Sequence, residues 1–202
     1  MIKIEKIEIY GWESAFRGLR NPLESHSKSD SYCHEGNFIM GSNDLKLAAR
    51  LSKAGSDHGK FLRYITVTCD ITAPLYYFKE FDTYKVGTVA NSTSTMHKIM
   101  SKQFTEDMFS WEDNYLVDWK QITLERLNDL RADYLKDKSK RIWKCLIQTL
   151  PDAYNQTRTV LLNYQVLKNM YNARKNHKLS EWHTFCEWIE SLPYAKELIL
   201  CE

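Results

Sequence analysis

Glycine and proline are scarce in this sequence, with seven glycines and four prolines among 202 residues. That is about half of their usual share, and a sandwich or barrel of short strands needs more turns than these residues supply. We therefore expect helices to dominate. No run approaches the roughly 18 consecutive apolar residues of a membrane span, and the first residues lack the continuous apolar core of a signal peptide.

Cysteine pairs and metal-binding motifs are also missing. The five cysteines are odd in number and form no CxxC pair, which is typical of free thiols in a reducing compartment. We accordingly expect a cytoplasmic protein whose cysteines serve packing. His34 and Glu35 have no second ligand pair at a useful spacing, so we expect no metal site. The P-loop, GxGxxG, HExxH and GxSxG motifs do not occur either.

An excess of one charge is lacking, since 28 basic and 26 acidic residues leave a formal net charge of +2. This balance argues against binding of bulk nucleic acid, although it leaves room for a local basic pocket that binds a small anion. Apolar residues make up 43% and charged residues 27%, which is ordinary for a folded protein. The length predicts a single domain over residues 1–202.

Hydrophobic periodicity predicts the first strands and helices. Residues 2–9 alternate as a strand that changes phase near Glu5–Lys6, and Tyr64–Ile71 is the clearest strand. Asp44 is expected to cap one helix, and Thr72–Pro74 to begin another. Two polar stretches of low periodicity are predicted as loops with functional roles: Gly11–Asn43 and Val86–His97.

The later part of the chain has the apolar spacing of helices. A long helical pattern extends from about Glu112, through apolar positions such as Leu116, to Leu150. We interpret its lysine-rich run at 136–141 as a solvated bend between two helices. Another helix is predicted to begin at Pro151–Asp152, and an amphipathic helix lies near the end of the chain, with apolar positions Trp182, Phe185, Trp188 and Ile189.

Two late arginines, Arg158 and Arg174, stand in apolar or amide-rich sequence, where an arginine usually faces an anion or an acidic residue. On one straight helix their separation of sixteen residues would point them roughly 160° apart. Either the helix breaks between them, or they serve sites on different faces, in one subunit or in two. The alternative is that both are surface arginines in ion pairs.

Three segments, taken in order, resemble the flavin-dependent thymidylate synthases. The first is GSDHGKFLRYITV, which holds a histidine before the central strand. The second, Val67–Ile99, resembles that strand, an Ala-Pro helix start, and a signature of Arg-His-Arg followed by Asn-Glu-x-Ser-x-Arg. The third, Gln156–Lys175, resembles a later segment with an arginine before Val-Leu and an Asn-Ala-Arg. Together they lie within residues 55–175, a span of a little over half of the chain.

This resemblance implies an α+β fold, in which a small, largely antiparallel sheet packs with several long helices. It also implies a homotetramer with pockets between subunits. In the family, reduced FAD passes a one-carbon unit from methylenetetrahydrofolate to deoxyuridine monophosphate (dUMP), with NADPH as the electron source. The cofactor carries out the difficult step, so the protein supplies binding, orientation and electrostatics rather than a nucleophile.

The resemblance further implies roles for individual residues. Those that correspond to flavin-contacting or neighbouring positions are His58, Lys85, Asn91, Asn172 and Arg174. Arg158 corresponds to an arginine that grips the nucleotide phosphate, and Ser94 and Glu80 fall on the substrate side. His183 falls near the position of the arginine that activates the pyrimidine, so His183 and Ser94 are the candidate catalytic residues.

The signature also departs from the family pattern. Thr83–Tyr84–Lys85 stands in place of Arg-His-Arg, Ser92 in place of the glutamate, and Met96 in place of a nucleotide-binding arginine. Loss of one bidentate arginine–phosphate contact costs on the order of 1.5–3 kcal/mol. Affinity for the family's usual ligands should therefore differ.

Three interpretations follow. The first is a divergent flavin-dependent enzyme that methylates a nucleotide. The second is a non-catalytic protein that keeps the fold and binds another nucleotide or a protein partner. The third is that the likeness concerns the fold alone, in which case Tyr84, His97 and Trp119 serve only packing.

Overall fold

The computed structural model describes residues 2–111 and 117–202. Its strands are β1 Lys3–Tyr10, β2 Tyr32–His34, β3 Asn37–Ile39, β4 Thr66–Pro74, β5 Val89–Ser92 and β6 Asn155–Asn163. Its α-helices are α1 Trp12–Arg20, α2 Ser42–Lys53, α3 Leu75–Phe81, α4 Val117–Asp137, α5 Lys140–Thr149, α6 Tyr164–Arg174 and α7 Ser180–Glu190. Short 3₁₀ turns include Gly59–Arg63 and Asp82–Tyr84, and a π-helical turn spans Lys196–Leu200.

Four strands form a sheet in the order β1–β4–β6–β5, and β2 pairs with β3 as an antiparallel hairpin. The α+β class with a small antiparallel sheet is therefore confirmed. In β4 the buried side chains alternate through Val67, Cys69, Ile71 and Ala73, because successive residues of a strand point to opposite faces. This confirms the predicted strand and its buried face.

The chain divides into two compact units. The first unit comprises Met1–Lys3, Ile71–Thr83 and Asn91–Thr159, and the second unit comprises Ile4–Asp70, Tyr84–Ala90 and Val160–Glu202. All four strands of the larger sheet, β1, β4, β5 and β6, have residues in both units. The single domain expected over residues 1–202 stays a prediction.

In the first unit, α4 and α5 contribute leucines to a core that also holds two phenylalanines from the preceding segment. Its buried members include Leu127, Leu130, Leu146, Phe104 and Phe109. Asn128 on α4 fixes the incoming chain, since its side-chain amide accepts from the Phe104 N–H at 2.9 Å and donates to the Phe104 carbonyl at 3.0 Å.

The predicted bend between these two helices is confirmed. Helix α4 ends at Asp137, Lys138 takes a positive φ of 56°, and Ser139 caps α5 by accepting a hydrogen bond from the Arg141 N–H. The first part of the predicted helix, from Glu112 to Leu116, lies outside the described residues.

In the second unit, the start of α2 differs from the expectation that Asp44 caps it. Asp30 accepts hydrogen bonds from the backbone N–H groups of Asn43 and Asp44, at 2.9 Å and 3.0 Å, and thereby fills the capping role. The Asp44 carboxylate is fully buried and pairs with the guanidinium of Arg20, which is 5% exposed.

The pKa of Asp44 lies below its ordinary value. Burial alone would raise this pKa, but hydrogen bonds from Ser29, Ser31 and Arg20, together with the positive charge of Arg20, favour the ionised carboxylate. Ser29 Oγ lies 2.6 Å and the Ser31 backbone nitrogen 3.1 Å from Asp44 Oδ2. Both oxygens of the buried Asp44 carboxylate therefore accept hydrogen bonds.

The loop predicted over Gly11–Asn43 is wrong, because α1 and the β2–β3 hairpin lie within it. Buried Ala15, Phe16 and Leu19 line one face of α1, at helical spacing. This apolar pattern covers only about two helical turns and is surrounded by polar residues, so the segment is too short to predict a helix from its periodicity. Gly11, before α1, has φ 87°, and a Cβ there would lie 1.9 Å from the carbonyl oxygen of Tyr64.

The helix predicted from Pro151–Asp152 is also wrong over its first half, since Asn155–Asn163 forms β6 and α6 begins only at Tyr164. Val160 and Tyr164 match a helical spacing by coincidence. In the strand, Gln156, Val160 and Leu162 are buried on one face, and the β-branched residues Thr157, Thr159 and Val160 are typical of strands.

Two further expectations are confirmed. Lys6 takes φ 52°, an irregular conformation at the point where β1 changes phase, and α7 buries Trp182, Phe185 and Ile189 as predicted. In the part of the chain that the structure describes, no helix has the length and apolar character needed to cross a membrane.

We predict that Asp44→Asn lowers the free energy of unfolding by about 3–5 kcal/mol, because it leaves the buried Arg20 charge unpaired. Urea denaturation followed by circular dichroism would measure the loss. Asp152→Asn is the matched control: its ion pair with Lys79 is exposed, so its loss should cost no more than about 1 kcal/mol. Equal losses in the two variants would contradict the assignment of Arg20–Asp44 as a structural pair.

The Asp44 contribution should also depend on pH. Because its folded-state pKa is lowered, the stabilisation is fully present above the unfolded-state pKa near 3.9 and is lost as the pH falls through the folded-state pKa. The difference in urea midpoint between wild type and Asp44→Asn should therefore be constant from about pH 7 to pH 5 and shrink below about pH 4. A difference that grows on acidification would contradict the lowered pKa.

Candidate functional site

Arg158 on β6 is held on three sides within the first unit. Its Nε donates to Gln156 Oε1 at 2.9 Å, and its Nη1 donates to Asp82 Oδ1 at 2.7 Å. The guanidinium carbon lies 3.9 Å from the centre of the Phe78 ring, in a cation–π contact. The side chain is 15% exposed, so the guanidinium has a fixed plane and keeps a small accessible edge.

The fold positions these groups through simple periodicities. Gln156 and Arg158 are two residues apart on a strand, so they share one face of β6. Phe78 and Asp82 are four residues apart at the end of α3 and in the turn that follows it, so they share one side of that helix.

The loop that carries Ser94 joins this arrangement through Gln156. The Gln156 side chain donates to the Thr93 carbonyl at 2.9 Å, and the Thr93 N–H donates to the Thr157 carbonyl at 2.9 Å. Ser94 is half-buried, and its Oγ accepts from the backbone N–H groups of Met96 and His97 at 3.2 Å and 3.1 Å. The structure therefore brings the Ser94 segment and the Arg158 segment together.

Two other predicted residues lie in the first unit. Glu80 is half-buried on α3, where its carbonyl accepts from Thr83 Oγ1 at 2.7 Å. Asn91 is exposed on β5, in the edge strand next to β6. Met96, which the resemblance sets against a family arginine, is 49% exposed, and its carbonyl accepts from Trp143 Nε1 at 3.0 Å.

Arg174, at the end of α6 in the second unit, lies between two aromatic rings. Its guanidinium carbon is 4.9 Å from the Trp182 ring and 5.6 Å from the Tyr84 ring, and its Nε donates to the Tyr84 hydroxyl at 2.9 Å. Trp182 is fully buried. Tyr84, which the resemblance sets against a histidine of the family signature, therefore fills a structural role beside Arg174.

His58 lies beside a cavity of about 580 Å³ in the second unit. The cavity has a mostly apolar lining that includes Leu19, Leu51 and Phe61, with basic side chains at Arg50 and Lys60 and one acidic side chain at Asp57. An apolar lining with a few basic groups suits an aromatic ligand that carries negative charge. His58 itself is exposed at the start of the Gly59–Arg63 turn.

The remaining predicted residues of the second unit are exposed. Lys85 lies just after the Asp82–Tyr84 turn, and Asn172 lies on the last turn of α6. His183 lies on α7, where its Nε2 donates to the His177 carbonyl at 2.6 Å. Lys85 follows Tyr84, so its backbone lies near Arg174, whereas His183 has a separate local contact.

His58 precedes a turn that packs near the start of α6, whereas Arg174 lies at the end of that helix. The turn that follows His58 contacts α6, where Gly59 lies against Gln165 near the start of that helix. Gln165 and Arg174 are then about 13 Å apart along the helix axis. Within one protomer, only an extended ligand can reach both residues.

The residues that sequence reasoning missed are the partners of the two arginines. Phe78, Asp82 and Gln156 surround Arg158, and Trp182 lies beside Arg174. Gln156 could have been found from the alternation of β6. Asp82 could not, because its contact with Arg158 joins positions 76 residues apart.

The third interpretation expects Tyr84, His97 and Trp119 to serve packing, and the structure supports this for Tyr84 alone. Tyr84 packs on Trp182, with ring centres 6.2 Å apart. Trp119 is 61% exposed on α4, and His97 is exposed as well. The expectation that these two side chains serve packing is therefore wrong for the isolated chain.

Solved structures of a flavin-dependent thymidylate synthase share this fold. ThyX from Helicobacter pylori, with FAD and dUMP, has a TM-score of 0.78 and 16% sequence identity, covering 100% of this chain and 99% of that one. Another structure of ThyX from Helicobacter pylori with FAD and dUMP has a TM-score of 0.75 and 16% identity, covering 96% and 98%.

A methylase shares the fold as well. PolB from Streptomyces cacaoi, a UMP/dUMP methylase bound with 5-Br dUMP, has a TM-score of 0.68 and 12% identity, covering 99% of this chain and 95% of that one. No family model and no curated protein matches the chain. The predicted resemblance to flavin-dependent thymidylate synthases is thus confirmed in the fold.

Gly87 offers a test of the loop between α3 and β5. It has φ 85°, and a Cβ there would lie 3.0 Å from Val166 Cγ2 and 3.2 Å from the side-chain nitrogen of Asn163, which caps α6. Gly87→Ala should therefore lose about 1–2 kcal/mol from the left-handed backbone and at least about 1 kcal/mol more from overpacking. Thermal unfolding would measure both losses.

The matched control is Gly36→Ala in the hairpin turn, where φ is also positive, at 78°, but no atom lies within 4 Å of the added Cβ. It should show the backbone cost alone. If both variants lose the same stability, Gly87 does not pack against α6.

Proposed function

We propose that this chain is a divergent flavin-dependent thymidylate synthase-like protein that binds FAD and a pyrimidine deoxynucleotide. The observation that carries the proposal is Arg158: on the fold of ThyX and PolB, the chain keeps an arginine whose plane is fixed by Phe78 and Gln156. Such an arginine is suited to bidentate recognition of a phosphate.

The nucleotide side of the proposed site is formed by the first unit. Arg158 binds the phosphate, and the Ser94 segment, which Gln156 ties to β6, contacts the nucleotide. Glu80, on the same helix as Phe78, stands on the pyrimidine side. Since both the amide of Gln156 and the ring of Phe78 hold Arg158 before a ligand arrives, little side-chain entropy is lost on binding.

The flavin residues of the proposal are His58, Lys85, Asn91, Asn172 and Arg174. The cavity beside His58 has an apolar lining with Arg50 and Lys60, which suits an aromatic ring system with phosphates. The distance of about 13 Å along α6 between the surroundings of His58 and Arg174 suits an extended dinucleotide. When bound, FAD would supply the redox and one-carbon chemistry, and these residues would bind and orient it.

Transfer of a one-carbon unit to dUMP is the finer part of the proposal, with His183 and Ser94 in the catalytic roles and folate and NADPH as co-substrates. His183 is exposed, and its ring is oriented by the hydrogen bond from Nε2 to the His177 carbonyl. Ser94 keeps a hydroxyl on an ordered loop next to β6.

The alternative is a non-catalytic protein that retains the fold and binds a nucleotide or a protein partner. One observation favours it: Arg174 is engaged by Tyr84 and Trp182, and Tyr84 takes the place of a signature residue. An arginine held between two aromatic side chains contributes to packing, whether or not a ligand is present.

Assembly and location complete the proposal. We propose a homotetramer with pockets between subunits, in which the whole chain acts as one functional domain. The five cysteines, all free, support a location in the cytoplasm.

Flavin absorbance and thermal shift test the proposed function. We expect the purified protein to take up FAD, with its visible absorbance, and to gain thermal stability on addition of dUMP, because a ligand that binds only the folded state stabilises it. A colourless protein that neither takes up FAD nor responds to dUMP would exclude the proposed function and favour the non-catalytic alternative.

Arg158→Ala should weaken dUMP binding by about tenfold or more while FAD remains bound, since a charge-assisted contact to phosphate is lost. Titration calorimetry would give the two affinities. Arg126→Ala, at an exposed position of α4, is the control for loss of one positive charge and should change neither. Loss of both ligands from folded Arg158→Ala would contradict the separate roles.

A further inference from the structure

Asp82 occupies the guanidinium that the proposed function assigns to a phosphate. Its Oδ1 accepts from Arg158 Nη1 at 2.7 Å, and its side chain is 45% exposed, so the carboxylate lies at the accessible edge of the arginine. Gln156 accepts from Nε, and Phe78 covers one face of the guanidinium. An incoming phosphate therefore meets an arginine that already has an anionic partner.

The contact changes the charge of the site. Arg158 and Asp82 together carry no net charge, and the segment Asn91–Thr95, which the hydrogen bonds of Gln156 and Thr157 tie to β6, contains no charged side chain. A phosphate that binds across Nη1 and Nη2 must displace the Asp82 carboxylate or lie beside it. Both alternatives cost free energy, because like charges repel and a paired carboxylate must return to water.

Arg158 cannot easily avoid this competition by moving. Its plane is fixed by the 3.9 Å contact with Phe78, and Gln156 is itself held by the Thr93 carbonyl. Asp82 is the more accessible partner, since it lies in a short 3₁₀ turn and its side chain is 45% exposed, against 15% for Arg158. The exchange of partners at Arg158 is therefore expected to occur through Asp82.

We propose that Asp82 is a specificity-determining residue that competes with the phosphate of the ligand for Arg158. It lowers the affinity of the site for a pyrimidine monophosphate and leaves the affinity for the corresponding uncharged nucleoside unchanged. This inference rests on the proposed function for the pyrimidine part of the ligand, whereas the competition for an anion at Arg158 does not.

The test compares dissociation constants of three probes, namely dUMP, deoxyuridine and inorganic phosphate, for the full chain and its variants. Asp82→Asn keeps the shape of the side chain and removes its charge. It should tighten dUMP and phosphate binding by about tenfold and leave deoxyuridine binding unchanged. Asp82→Ala, as a second variant, should give the same selectivity even if the turn is less stable.

Two further variants serve as controls. Asp152→Asn removes an exposed carboxylate of the same unit, which pairs with Lys79, and should change none of the three constants more than about twofold. Combining Asp82→Asn with Arg158→Ala should abolish the gain, because Asp82 acts through Arg158. A gain that survives in the combined variant would overturn the proposal.

The outcomes separate this inference from the proposed function. If Asp82→Asn tightens neither dUMP nor phosphate, or weakens them, Asp82 positions Arg158 instead of competing with a ligand, and the proposal fails. If no variant binds dUMP or deoxyuridine, the proposed function fails. Tighter binding of inorganic phosphate by Asp82→Asn would still support competition at Arg158, and unchanged phosphate binding would overturn that competition.

Discussion

A largely buried arginine side chain is stable only when its plane is held and its charge is balanced, and Arg158 meets both conditions before any ligand arrives. The ring of Phe78 fixes the plane, Gln156 fixes the direction of Nε, and Asp82 balances the charge. These contacts draw together the end of α3, the strand β6 and the loop that carries Ser94. Much of the order in the first unit near β6 follows from satisfying this one guanidinium.

The residues in and beside the signature segment also determine how the two arginines are paired. The resemblance implies that this loop after α3 is poorer in positive charge than the family signature. In the structure, Tyr84 accepts a hydrogen bond from Arg174, and Asp82 pairs with Arg158. Each arginine is thus paired within its own unit. A site of this kind recognises its ligand through exchange of partners more than through an open excess of positive charge.

Local patterns predicted much of the fold, and long-range pairing explains most of what they missed. Alternation predicted β4, helical spacing predicted α7, and the lysine-rich run predicted the bend before α5, because those signals lie within a few residues. Helix α1 was too short to show its period, and β6 was hidden by a helical coincidence of Val160 with Tyr164. For the site, isolated arginines in apolar sequence stood out, whereas Asp82 gave no sign of its distant partner, 76 residues away.

Strand β6 ends at Asn163 and α6 begins at Tyr164, with no residues between them. The Asn163 side chain accepts from the Val166 N–H and closes the junction, so the strand passes directly into the helix. A direct junction has no loop to absorb an inserted or deleted residue, because a shift by one would turn every β6 side chain to the opposite face. A single insertion or deletion at this junction would therefore disturb the facing of the β6 side chains and the cap of α6 together.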